Sequence, residues 1–374
     1  MTDTSARPFV AAVHAVGPQF AERAAAHDRS GEFVAENYVP LREKKLFSAG
    51  IPRDLGGGGA TYAELSEVLR ALAAYCPSTA LALSMHTHLI AAAVWRHLHG
   101  QPVAPLLAKV AEGELVLVST GAGDWIDSVG SAQRTDGGYR VSAQKRFASG
   151  SPAGNMVMTS APFDDPEQGP IVMHFAVPIT AEGVRVGNDW DTLGMRGSGS
   201  HTLTLEQVFV PDAAISVKRP RGQWHPSFNV ICVAALPLVT SVYLGVAESA
   251  ARIAREAAKK KAAEPTTVFS IGEMENSLLV AQMAWREAVA AVRDYAFAPE
   301  NELASVALQR KTIIAEHVER CVKKAVEASG GGAFFRKNPL EQLSRDIQGV
   351  HFHPLPEKKQ LLFTGRVALG LSPV

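Results

Sequence analysis

Residues 190–211 read WDTLGMRGSGSHTLTLEQVFVP, and the two halves of this stretch differ in character. The first half, DTLGMRGSGS, is a Gly/Ser-rich turn carrying one cation, Arg196. Such a turn leaves backbone N–H groups free to approach an anion or a flat polar ring. In the second half Leu203, Leu205 and Phe209 fall on odd positions, and Thr202, Thr204 and Glu206 on even ones. That period of two predicts a half-buried strand, with Leu203, Leu205 and Phe209 facing in and Pro211 ending it. Composition and spacing alone say no more than a polar loop feeding a strand.

Outward from this stretch the chain divides by pattern. At 374 residues it is too long for one ordinary core, so two or three domains are expected. Residues up to about 113 are Ala/Leu-rich with helical spacing. Thr61 followed by Glu64 forms a capping box ahead of apolar Leu65, Val68, Leu69 and Leu72. Ser78 precedes TALALSMHTHLIAAAVWRHLHG (79–100), a largely apolar helix closed by Gly100. From about 115 to 216 short β-type runs alternate with Gly-, Asp- and Ser-rich turns: ELVLVST, GYRVSAQKRFASG, IVMHFAVPI and HTLTLEQVFV. Beyond Ser227 helical patterns return at about 228–261, 272–296 and 301–328, with a kink expected at Pro237. The triple glycine 330–332 breaks the last of these, and Asn338-Pro339 reads as N-cap and first residue of a further helix. The domains expected are therefore 1–114, helical; 115–226, all-β; and 227–374, a helical bundle.

Bulk composition narrows the function classes. Apolar residues make up 47% and charged residues 20%, as in ordinary globular proteins, and Lys plus Arg equals Asp plus Glu at 37 each. No net field would hold nucleic acid or an anionic membrane. No apolar run is expected to reach the ~20 residues of a membrane span, and the first residues lack the pattern of a signal peptide. Cys76, Cys232 and Cys321 are scattered and odd in number, which suits a reducing cytoplasm. Three H-x-H pairs occur (86/88, 97/99, 351/353), but residues two apart on a helix point roughly 200° apart. No metal site is expected.

The wording of the opening stretch closely resembles the acyl-CoA dehydrogenase superfamily, in which G-M-R-G-[ST] precedes a strand ending V-F-V-P. IPRDLGGGGATY (51–62) and SGGGAFFRKNPLEQLSRD (329–346) are similar to two further family segments, so the resemblance covers nearly the whole chain. It implies a helical N-terminal domain, a middle β-barrel or sandwich and a C-terminal four-helix bundle around FAD or FMN. VSTGAGDW (118–125) occupies the place of a flavin-contacting loop, which implies flavin contacts from Ser119, Thr120 and Gly121. KRFASGS (145–151) stands where dehydrogenases carry K-x-W-I-T-N and looks more like the fold's flavin-dependent hydroxylases. That places Phe147, Ser149 and Gly150 at the flavin, together with Arg196 and Ser198 from the opening stretch.

The chemistry turns on a missing acid. Desaturating an acyl thioester needs a carboxylate to take the α-proton. Most family members carry it nine residues past the Arg of the R-D pair, and here that position is Pro354. Glu357 is the nearest candidate for a displaced base. Histidines stand there instead: His351 and His353 after the R-D pair, and His86 and His88 in the 79–100 helix. An imidazole titrates near neutrality and can give and take a proton in one cycle. The resemblance to the monooxygenase branch gives His353 and His88 the task of forming or protonating a flavin hydroperoxide, with Ser149 beside them. Three readings stay open. One is a monooxygenase supplied with reduced flavin by a separate reductase. Another is an acyl-CoA dehydrogenase with Glu357 as base. The third is a non-catalytic flavoprotein. Each implies a small-molecule ligand and a homodimer or homotetramer built on apolar faces such as ELASVAL (302–308), without nucleic-acid or membrane partners.

Overall fold

In the computed structural model, which describes residues 7–259 and 262–374, helices come first, strands second and helices again last. The N-terminal helices are α1 (Pro8–Ser30), α2 (Tyr38–Glu43), α3 (Tyr62–Ala73), α4 (Pro77–Leu98) and α5 (Ala104–Gly113). Thr61 caps α3 by accepting the Glu64 N–H. The other half of the expected capping box is absent, because the Glu64 carboxylate reaches across to the Phe9 N–H in the first turn of α1. One side chain thus ties two helix starts together. α4 shows little amphipathicity for a physical reason: it is packed against α3, α6 and β1, so almost every side of it is covered.

Among the described residues, eight strands form two four-stranded sheets. One has the order β1 (Leu117–Ser119), β4 (Met156–Asp165), β5 (Gly169–Pro178), β8 (Ile215–Pro220). The other runs β2 (Ser131–Thr135), β3 (Gly138–Ala148), β7 (His201–Pro211), β6 (Val184–Val186). Met173, Phe175, Leu203, Leu205, Val208 and Val210 meet in the core they share. The strand expected from the opening stretch is present as β7, but its phase changes halfway. Gln207 adopts φ 51° at a bulge opposite Val141–Ala143. The extra residue turns Val208 and Val210 inward and leaves Phe209 40% exposed, correcting the expectation that Phe209 faces in.

The C-terminal part consists of α6 (Pro226–Lys259), α7 (Pro265–Ala290), α8 (Asn301–Ser329), α9 (Pro339–Asp346) and α10 (Glu357–Ala368). α7 begins seven residues earlier than its pattern suggested, at a proline that suits a first helical position. Asn338 caps α9 as expected by accepting the Leu340 N–H. α6 runs as one helix through Pro237, and Thr240 and Ser241 place their hydroxyls on Leu236 and Pro237 carbonyls there. It also corrects the expectation about apolar runs. By length and composition α6 could cross a membrane, yet 94% of its apolar window is buried inside the protein. It packs on α3, α4, α7 and α8 and is the axis that joins the two helical regions. All three cysteines are buried and free.

Candidate active site

A cavity of about 790 Å³ opens where α4 and α6 meet the end of the β1-β4-β5-β8 sheet and the 190–200 turn. Its floor is polar, with Ser119, Thr120, Gly121, Ser149 and Ser200. Its helical walls are apolar, including Leu81, Met85, Leu89, Val230, Leu236 and Val239. The loop after α9 closes one side with Gln348, Gly349, Phe352 and His353.

His353 and His88 both face this cavity. Nε2 of His353 lies 2.7 Å from the phenol oxygen of Tyr243, at the buried centre of α6. Desolvation, with the Lys311 ammonium and His88 adding to it, pushes the His353 imidazole down to about 3. His88 donates from Nδ1 to the Ser84 carbonyl at 3.3 Å, which leaves Nε2 as its acceptor, and burial brings it to about 4. Both rings are therefore neutral near pH 7. The other two histidines do different work. His86 accepts the Leu117 N–H at Nδ1 and donates from Nε2 to the Phe47 carbonyl, so it pins β1 to α4. His351 pairs with Glu319 at 3.0 Å, outside the cavity.

The expected flavin contacts divide into those on the wall and those behind it. Ser119, Thr120, Gly121, Phe147 and Ser149 line the cavity. The Thr120 hydroxyl is held by Thr159 at 2.7 Å. Phe147, at φ 66° and 53% exposed, sets its ring edge-to-face against Trp190. Ser149, Ser200 and Ser198 form a chain of hydroxyls with 2.7 Å steps, in which Ser198 sits behind the other two. Gly150 is also behind the wall. It turns the chain at φ 73°, donates to the Ser198 carbonyl, and a Cβ on it would come within 2.7 Å of the Tyr38 hydroxyl. Arg196 points elsewhere. Its guanidinium is spent on Asp191 and on the carbonyls of Asp28 and Thr192, in a neighbouring hollow bounded by Ser30, Asn188 and His201.

Glu357 is corrected outright. It opens α10 at the surface, pairs with Lys358 at 2.7 Å, and that ammonium holds its carboxyl below the usual range. It does not line the cavity. Asp124 is the one carboxylate on the wall among the described residues. It too is occupied: the Lys145 ammonium, almost fully buried, donates to Asp124 at 2.7 Å, to Ser128 at 2.9 Å and to the Val129 carbonyl at 2.8 Å.

Several supporting residues carry little sequence signal. Tyr243 is one aromatic in an apolar helix. Asp346, of the R-D pair, is wholly buried, receives the Met195 N–H, and is raised to about 7 mainly by desolvation. Arg345 forks onto Asp28 and Glu341. Together they lock the 194–196 turn against α9, and Gly194 permits that contact, since a Cβ there would meet the Arg345 carbonyl at 2.3 Å. Buried Arg219 and half-buried His174, in contact with each other, had a readable sign: His174 is the one polar residue in IVMHFAVPI. Among the described residues no group of three or more His, Cys, Asp or Glu is placed to hold a metal ion.

Comparison with known proteins agrees with this architecture. Residues 5–114 match the family model for the acyl-CoA dehydrogenase N-terminal domain, and residues 238–356 that for its C-terminal domain. Dibenzothiophene monooxygenase of Mycolicibacterium goodii is 31% identical over 291 residues, covering 70% of this chain and 68% of that one. The putative acyl-CoA dehydrogenase YdbM of Bacillus subtilis (strain 168) is 25% identical over 371 residues, covering 94% of each. Among solved structures, XiaF from Streptomyces sp. in complex with FADH2 and glycerol superposes with a TM-score of 0.82 at 23% identity, covering 98% of this chain and 96% of that one.

Proposed function

The chain belongs to the acyl-CoA dehydrogenase family, and we propose that within it the protein is a flavin-dependent monooxygenase acting on a small molecule. The carrying observation is the make-up of the cavity wall: four imidazoles, among them neutral His88 and His353, and no carboxylate free of a cation among the described residues. Taking an α-proton from an acyl thioester needs a free base of carboxylate type, and Asp124 is already bound to Lys145. The hydroxyls of Ser119, Thr120, Ser149 and Ser200 offer donors and acceptors on one side of a cavity whose other side is apolar, and this arrangement fits a flat, polar-edged ring. A reduced flavin held there would supply electrons to dioxygen. We assign His353 and Tyr243 to holding and passing a proton at Nε2, His88 to accepting a hydrogen bond at its Nε2, and Ser149 to orienting the ring. Ser119, Thr120, Gly121 and Phe147 complete the flavin contacts, with Gly150 and Ser198 shaping them from behind. The apolar helices exclude water while the charge develops.

The same reading takes 1–114, 115–226 and 227–374 as domains, a cytoplasmic enzyme, and a separate reductase that delivers FMN or FAD in reduced form. A homodimer or homotetramer is supported by apolar side chains left outside the core, among them Phe269 and Met283 on α7 and Leu362 on α10. The test is to supply enzymatically reduced FMN or FAD in air labelled with ¹⁸O₂, and to follow a panel of neutral aromatic and sulfur compounds by mass spectrometry. Label in a product supports the proposal. Anaerobic bleaching of bound flavin by an acyl-CoA, without label in any product, would replace it by dehydrogenation.

A further inference from the structure

The sheet end of the cavity forms a chamber in which Asp124, Lys145 and Arg219 are held by partners within the protein. Trp125 and Phe228 form part of its wall, with ring centroids 5.1 Å apart, and Trp224 stacks behind them. His174 stands beside this aromatic surface, edge-on to Phe228 at 6.4 Å. Its position on β5 decides where it points. Met173 and Phe175 on either side go into the core between the two sheets, so alternation sends His174 to the opposite face, toward the cavity.

The charged groups around His174 come from four elements. Arg219 of β8 donates from Nε to His174 Nε2 at 3.0 Å, and its other nitrogens hold the Asp124 and Ile126 carbonyls. Lys145 of β3 is held by Asp124. Arg96 of α4 bonds Gln101. His225, at the half-buried approach to α6, accepts the Ser227 N–H at Nδ1. A guanidinium has only donors, so the contact from Arg219 makes His174 Nε2 an acceptor and puts the ring proton on Nδ1. Nδ1 has no partner among the described residues. Desolvation, then Arg219, His225, Lys145 and Arg96, push this imidazole down to about 3, so the tautomer persists through neutral pH.

We propose that His174 is a specificity-determining residue: its Nδ1–H is a fixed donor that selects a flat, uncharged aromatic substrate carrying one hydrogen-bond acceptor. The aromatic wall supplies area without preference for any heteroatom, and a donor fixed beside it supplies orientation. This rests on the cavity being the substrate site, as in the monooxygenase reading, but it does not depend on the reaction catalysed there.

The test is therefore a binding measurement without turnover. Quinoline and naphthalene have nearly the same shape and differ by one ring nitrogen. Their affinities for the protein loaded with oxidised flavin are measured at pH 7.5 by tryptophan fluorescence, for wild type, His174→Leu and His174→Gln. Wild type should bind quinoline ~10-fold more tightly than naphthalene. His174→Leu should erase that ratio. His174→Gln should keep it, because a Gln oxygen can accept from Arg219 while its amide donates into the chamber. If wild type shows no preference, or if the Leu variant retains it, the proposal is wrong, even should oxygen incorporation into another substrate be demonstrated. Because the wild-type ratio alone can overturn it, a Leu variant that fails to fold leaves the test intact.

Discussion

The phenol oxygen of Tyr243 and Nε2 of His353 are 2.7 Å apart, so the buried centre of α6 is joined to the turn following α9. Tyr243 is wholly buried, and burial raises its hydroxyl far above the ordinary phenol range. The pair is therefore neutral on both sides, and a proton on it is shared through one hydrogen bond rather than stored as charge.

Removing His353 tests the monooxygenase reading most directly. His353→Ala should lower product formation by ~10²–10⁴-fold, while reduced flavin still binds and still consumes oxygen, now released as hydrogen peroxide. Tyr243→Phe keeps the ring and removes only the oxygen, so its loss should be smaller, ~10-fold. The measurement is the ratio of product to peroxide per reduced flavin consumed. Equal ratios in wild type and His353→Ala would exclude a proton-handling role for this histidine.

Glu357→Gln should leave either assay unchanged within about twofold. The carboxylate is at the surface with Lys358, and exposed pairs of this kind contribute little. A large loss of acyl-CoA-driven flavin bleaching in this variant would instead return Glu357 to the role of a base.

Acid should destabilise the fold through its buried imidazoles. His86 and His88 are depressed to about 4, and His174 and His353 to about 3, each chiefly by desolvation. Unfolded histidine titrates near 6.5, so between pH 6.5 and about 4 the unfolded chain binds more protons than the native one, and stability falls as pH falls. Each histidine contributes a slope of up to ~1.4 kcal/mol per pH unit in that window and nothing above it. Asp346 works in the opposite direction. Its native value of about 7 lies above the unfolded one, so it favours folding fully only below the unfolded carboxyl range and loses that contribution as pH rises to 7. Four histidines outweigh one carboxyl. Thermal melts should be highest near pH 7 and drop steadily from 6.5 to 4.5, and a flat profile over that range would contradict the burial of these rings.

How much of this could be read beforehand depends on what each residue faces. Repeating patterns gave the helix–strand–helix order, because α3 and α8 have one wet face each. The two-residue spacing of His86 and His88 implied opposite directions, and the structure puts His88 on the cavity and His86 on β1. Which one faced which was hidden, since α4 is covered on nearly all sides and its apolar pattern has no phase. β7 shows the converse. Its alternation was plain, but one bulge at Gln207 reversed it, and no side-chain pattern announces a left-handed residue that is not glycine. Arg196 and Glu357 had suitable chemistry at suitable spacing. Their roles were decided by partners distant in sequence or simply by surface position.

A buried ion pair lies beneath the Gly121–Trp125 turn. Lys145 and Asp124 have almost no exposed side-chain surface and are 2.7 Å apart. Lys145→Met would leave the Asp124 carboxylate and the Val129 carbonyl without their cation. A broken buried pair of this type typically costs ~3–5 kcal/mol. Changing both members to apolar or neutral groups, Lys145→Met with Asp124→Asn, should recover most of that loss, since no uncompensated charge remains. Yet Asp124 Oδ1 also accepts the Val129 N–H, and Asp124 itself is on the cavity wall. The double variant should therefore regain stability in urea while still binding flavin more weakly than wild type, because stability depends on neutralising the charge and binding depends on the shape of the turn. Full recovery of flavin affinity along with stability would show that the pair serves the fold alone.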